Sequence, residues 1–112
     1  MHICDAGEIA IVPFPFTDIA VAKPRPALAL SARALSAASG NTVFAMITTA
    51  ARSQWPQDVL LRDLESAGLK AGSVVRFKLF TLDNRLISRT VGALGARDRA
   101  AVRRVLKNLI TI

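Results

Sequence analysis

The chain has 112 residues and a mass of 12.0 kDa, enough for one domain of small size and too short for separate cofactor and substrate halves. Hydrophobic residues make up 52% and charged residues 21%, which excludes disorder, and no apolar run is long enough to span a membrane. One cysteine, Cys4, and one histidine, His2, exclude an internal disulfide, a multi-cysteine zinc site, an iron–sulfur cluster and a multi-histidine metal site. The opening MHICDAGE carries acids where a signal peptide needs cations, so a cytoplasmic protein is expected.

Fifteen Lys and Arg against eight Asp and Glu give a net charge of +7. The charge is lopsided. Residues 1–69 hold five basic and six acidic residues, whereas residues 70–112 hold ten basic and two acidic, a net of +8. A basic half on a small domain points to an anionic partner, against the plain alternative of a solvated surface. Arginines outnumber lysines eleven to four, which favours bidentate phosphate or carboxylate contacts.

In chain order, residues 7–13, GEIAIVP, alternate as a half-buried strand does. Pro13 and Pro15 remove two backbone donors, and residues 14–26 read as a loop. ALALS, 27–31, is a short apolar run, and 33–38 make a helical turn stopped by Ser39-Gly40-Asn41. TVFAMITT, 42–49, reads as a strand buried on both faces. A polar loop around Trp55-Pro56 leads to a short strand at 58–61 and a helical turn ending at Gly68. In 73–83, Val75, Phe77 and Leu79 face one way and Arg76 and Lys78 the other. Asn84-Arg85 turns into a strand over 86–94, kinked at Gly92. From Asp98, taken as N-cap, Val102, Val105, Leu106, Leu109 and Ile110 recur at helical spacing, with Arg99, Arg103 and Lys107 opposite. These elements predict a mainly β fold: a small antiparallel barrel or rolled sheet closed by a C-terminal helix that buries its whole aliphatic stripe.

GEIAIVPFPFTD, then KPRPALALS, then FAMITTAARS, together resemble the MazF/PemK family of toxins from bacterial toxin–antitoxin pairs. AGLKAGSVVRFKLFTLD, the glycine of TVGAL and the closing helix carry the match along nearly the whole chain. The resemblance implies an SH3-like barrel of the MazF/PemK/CcdB type and a homodimer. It also implies metal-independent, sequence-specific cleavage of single-stranded RNA, with no cofactor. The expected partners are RNA and a cognate antitoxin with an acidic or disordered tail.

Arg25 lies between Pro24 and Pro26, which stiffen its backbone. Its permanent charge suits the growing negative charge of a phosphorane-like transition state, or else it decorates a loop. The family uses the arginine of this motif in catalysis, so the resemblance assigns Arg25 that role. Thr48 and Thr49 end a strand beside a loop, where a hydroxyl can donate to a phosphate oxygen; threonine is also simply a good strand residue. The resemblance places a catalytic hydroxyl pair here, usually threonine then serine. The general base stays unnamed. Some members carry a glutamate directly before the arginine, where this chain has Pro24, and some an acid soon after the VVR stretch, where it has Phe77-Lys78. Glu8, Asp18 and His2 remain as candidates.

The RNA-binding set is Phe16, Thr17, Asp18, Lys23, Arg52, Trp55, Arg76 and Lys78. Phe14 and Phe16 either stack on unpaired bases or plug the barrel end. Trp55 is a stacking or dimer residue, or a partly buried anchor. Arg52, Arg76 and Lys78 are phosphate contacts or ordinary surface charge. Two rivals stay open: a catalytically weakened or non-catalytic RNA-binding member, and a CcdB-like gyrase poison that does not depend on the arginine–threonine pair.

Overall fold

The computed structural model describes residues 2–13, 23–52 and 55–112. Six strands, β1 (Glu8–Pro13), β2 (Pro24–Ala29), β3 (Asn41–Thr49), β4 (Val59–Leu60), β5 (Ser73–Asp83) and β6 (Arg89–Ala93), form one antiparallel sheet in the order β4-β5-β3-β2-β1-β6. Among the described residues, three helices accompany it: α1 (Arg33–Ser39), α2 (Leu64–Ala67) and α3 (Ala96–Leu109). The expected β-rich fold with a C-terminal helix is the one that forms, as a curled half-barrel.

Period-2 alternation sorts the core onto the two faces of the sheet. On one face Ile9, Leu28, Ile47, Val75 and Phe77 pack with Ala67 of α2 and with Val102 of α3. On the other, Ala10, Val12, Ala27, Ala29, Phe44 and Phe80 form a second cluster, with the Phe44 and Phe80 rings stacked at 5.6 Å. β3 supplies both, as its unbroken apolar run predicts. Two irregularities bend the sheet. The β1–β6 register shifts between Ile9 and Ala10, opposite Gly92 and Thr90. The β3–β5 register shifts between Ala45, opposite Leu79, and Met46, opposite Arg76, leaving Phe77 and Lys78 as extra residues on β5.

Four expectations change. Pro24, Arg25 and Pro26 belong to β2, not to a loop: β3 pairs with β2 only from Ala27 onward, so both prolines sit where the strand is bonded on one side. The expected strand over 86–94 is shorter: a 3-10 turn takes Asn84–Leu86, and β6 runs only from Arg89 to Ala93. Asp98 is not the N-cap of α3; Gly95 is, and Asp98 sits inside the first turn, buried. Its carboxylate accepts the N–H groups of Arg62 (2.9 and 3.0 Å) and Asp63 (2.9 Å), tying the segment after β4 to the helix. The expected aliphatic stripe is buried at Val102 and half-buried at Val105 and Leu106, but Leu109 at the end of α3 is 45% exposed and Ile110, just past it, 60% exposed.

Candidate functional site

Register alone assembles the site. Arg25 pairs with Val12 across β1–β2, and Ala27 pairs with Met46 across β2–β3. The β2–β3 pairing ends there: Arg25 lies two residues before Ala27 and Thr48 two residues after Met46, so each keeps the face of that pair. Arg76 pairs with Met46 across β3–β5. Residues that pair directly share a face, and so do residues two apart on one strand. Arg25, Thr48, Arg76 and Lys78 therefore project from the face of the Phe44–Phe80 cluster, toward the end where β3 stops. Arg25 is exposed and Thr48 half-buried. Thr49, exposed, pairs with Ser73 and alternates away from Thr48. Lys23 is exposed just before β2.

The segment between β3 and β4 brings two further groups to this end, Trp55 and Asp58; the Arg52 side chain lies outside the described residues. A 3-10 turn over Ala50–Arg52 follows Thr49. Trp55, 43% exposed, has the Arg76 guanidinium carbon 6.0 Å and Lys78 Nζ 5.9 Å from its ring centroid. Asp58, which the sequence reading passed over, accepts from Arg76 Nε at 3.4 Å and from Arg76 Nη2 at 3.1 Å. Both side chains are largely buried, 14% exposed for Arg76 and 8% for Asp58. Arg76 is therefore not a free surface cation but half of a forked ion pair beneath an indole. Only the pairing of β4 with β5, Val59 opposite Val75, places Asp58 beside Arg76. A strand of two residues has no periodicity from which that pairing could be read.

Two of the named candidate bases lie elsewhere. Glu8 begins β1, four residues or about 13 Å from the Val12–Arg25 pair, and it engages Arg33 at 3.7 Å. His2 Nε2 hydrogen-bonds Thr90 Oγ1 on β6, two strands from β2. Phe14, Phe16, Thr17 and Asp18 lie outside the described residues. Among the described residues, no group of three or more His, Cys, Asp and Glu could hold a metal ion. A cavity of about 140 Å³ lined by Leu28, Leu30, Val102, Leu106, Arg99 and Arg103 lies under α3, on the face opposite Arg25.

The arrangement gathers four cations, Lys23, Arg25, Arg76 and Lys78, with one carboxylate, a hydroxyl and an exposed indole. Such a set binds a phosphodiester and offers a stacking surface beside it.

Solved structures share the whole fold. The structure of MazE-MazF from Deinococcus radiodurans matches at 27% identity and a TM-score of 0.76, covering 96% of each chain. The toxin MazF-mt6 of Mycobacterium tuberculosis matches at 25% identity and a TM-score of 0.71, covering 90% of this chain and 93% of that one. A mycobacterial endoribonuclease solved in complex with its cognate antitoxin has the same fold at 16% identity and a TM-score of 0.72, covering 96% of this chain and 93% of that one. No curated protein matches by sequence. No helix among the described residues is long and apolar enough to cross a membrane. The family model for PemK-like, MazF-like toxins of type II toxin-antitoxin systems matches residues 5–110, and the chain belongs to that family.

Proposed function

We propose that this toxin is an endoribonuclease that cleaves single-stranded RNA without a metal, in the cytoplasm, as a homodimer held in check by a cognate antitoxin. The observation that carries the reading is that Arg25 and Thr48 share a face of neighbouring strands, each two residues beyond the Ala27–Met46 pair. The ribose 2′-OH attacks the adjacent phosphorus in line and loses its proton. The 2′-O–P bond forms, the P–O5′ bond breaks, and the departing O5′ takes up a proton. The products are a 2′,3′-cyclic phosphate and a 5′-OH end. Negative charge that grows on the nonbridging oxygens is met by the Arg25 guanidinium, with Thr48 donating a hydrogen bond; Thr49 is a second hydroxyl at the rim. Lys23, Arg52 and Lys78 hold flanking phosphates, while Phe16, Thr17 and Asp18 stand in the segment that joins β1 to β2. Exposed Leu109 and Ile110 at the end of α3 suit a covered surface, consistent with a dimer; light scattering reads its mass.

One observation favours a weakened enzyme as second reading. Asp58, the carboxylate placed beside this site, is engaged by Arg76, and Pro24 stands where some relatives carry a glutamate. Purified protein incubated with mixed RNA in EDTA, followed by end mapping, decides between the readings. Cleavage leaving cyclic phosphate ends is expected. Arg25→Ala is expected to lose about 10²-fold or more in rate with the fold intact, and Arg25→Lys to fail substantially, since an ammonium lacks the planar fork. Wild-type cleavage by Arg25→Ala would remove that residue from the mechanism.

A further inference from the structure

Resting on the nuclease reading, we infer that Asp58 is a positioning residue: through Arg76 it fixes the Trp55 indole as a stacking platform for an unpaired base beside Arg25 and Thr48. The segment that carries Trp55 and Asp58 is a tight turn. The Asp58 N–H donates to the Trp55 carbonyl at 3.4 Å, Pro56 limits the backbone, and Gln57 adopts φ 69°, the left-handed region. Among the described residues Gln57 is the one non-glycine with positive φ. Side chains avoid that conformation unless the surroundings impose it, and such residues gather at functional sites. The turn sets both Trp55 and Asp58 against Arg76. Asp58 grips the guanidinium through Nε and Nη2, which fixes its plane, and the indole then lies against that cation and against Lys78.

The charge balance follows. Arg76 is largely buried, and the Asp58 carboxylate compensates its charge beneath the ring. Removing that carboxylate is expected to let the guanidinium turn toward water and to loosen the indole. With 43% of Trp55 still exposed, ring surface remains open to a base. Stacking on an aromatic platform accepts any base, so the subsite sets geometry and affinity more than sequence.

Trp55 is the only tryptophan of the chain, so its emission reports on this turn alone. The probe is a short single-stranded oligoribonucleotide, 2′-O-methylated so that it cannot be cut and carrying an end fluorophore. Anisotropy reads binding, and indole emission reads stacking. Wild-type protein is expected to bind with Trp55 quenched. Asp58→Asn, folded by circular dichroism, is expected to bind about five- to tenfold more weakly with a smaller quench. Arg76→Lys keeps the charge but not the fork, and is expected to do the same should Asp58→Asn not fold. A merely structural role would lower the melting temperature yet leave the quench of the folded protein unchanged. Binding by wild type without a change in Trp55 emission overturns the platform and leaves the nuclease reading standing. So does a wild-type affinity and quench in folded Asp58→Asn or Arg76→Lys. Failure of wild type to bind the probe or cleave unmodified RNA overturns the nuclease reading itself.

Discussion

Arg25 and Arg76 share a face of the sheet, yet their substitutions should behave oppositely. Arg25 is exposed, so Arg25→Ala removes charge from the surface and should change stability by no more than about 0.5 kcal/mol. Arg76→Ala removes the charge that compensates a largely buried Asp58 carboxylate and should cost about 3–5 kcal/mol, read by urea denaturation. Arg25 and Thr48 could be named as candidates from the sequence because the PRP and ITT stretches carry the family resemblance; their own chemistry alone did not single them out. Asp58 was not legible there, since its meaning depends on an 18-residue separation from Arg76 bridged by a two-residue strand. Asp98 was misread for the related reason that capping logic is local. Its real partners, the N–H groups of Arg62 and Asp63, lie 36 and 35 residues earlier.

At the scale of elements, α2 lies so close to β6 that Gly92 is required. A Cβ on Gly92 would fall 2.4 Å from the Ala67 carbonyl carbon and from the Ser66 oxygen, both backbone atoms. Gly92→Ala should therefore push α2 from β6 and cost about 1–3 kcal/mol or more, seen as a lowered Tm. The sequence marked Gly92 as a kink, and the register shift beside it confirms an irregularity there; the approach of α2 is a tertiary fact that strand pattern does not carry. The end of β5 carries an acid-sensitive turn. The Asp83 carboxylate accepts from the Arg85 side chain and its backbone N–H, which lowers its pKa from 3.8 to about 2. A depressed folded-state pKa means the contribution is present above about pH 4 and is lost as pH falls toward 2. Carboxyl-carbon NMR should give an Asp83 midpoint near 2, and Asp83→Asn should flatten that part of the acid limb. Strand existence was legible throughout from alternation. Strand ends were not, as β2 and β6 show, because prolines and 3-10 turns answer to neighbouring strands.

For the whole molecule, the positive charge divides between two surfaces. The basic excess of residues 70–112 suggested one anionic footprint, but Arg97, Arg99, Arg103, Arg104 and Lys107 ride on α3, which packs on the face away from Arg25. Of that half, Arg76 and Lys78 project from the face of the candidate site. At physiological ionic strength the Debye length is about 8 Å, so charges on the far side of the sheet are screened from RNA lying on the Arg25 face. Reversing Arg104 and Lys107 to Glu should change RNA affinity by no more than about twofold. Lys23→Glu should weaken it about tenfold and reduce the salt slope. Titrations at several salt concentrations check both. Composition showed that the charge was there; only the packing of α3 shows which side it is on.

The two extra residues of β5, Phe77 and Lys78, have a consequence for changes of strand length. Inside and outside alternate along a strand with period 2, so an insertion of one residue would turn every later side chain of β5 to the wrong side. An insertion of two restores the phase. Phe77 still reaches the core, Phe80 still meets Phe44, and the sheet acquires its bend without inverting its faces. A change of two residues in β5 at this point would thus move what stands beneath Trp55 while leaving β2 and β3, and with them Arg25 and Thr48, where they are.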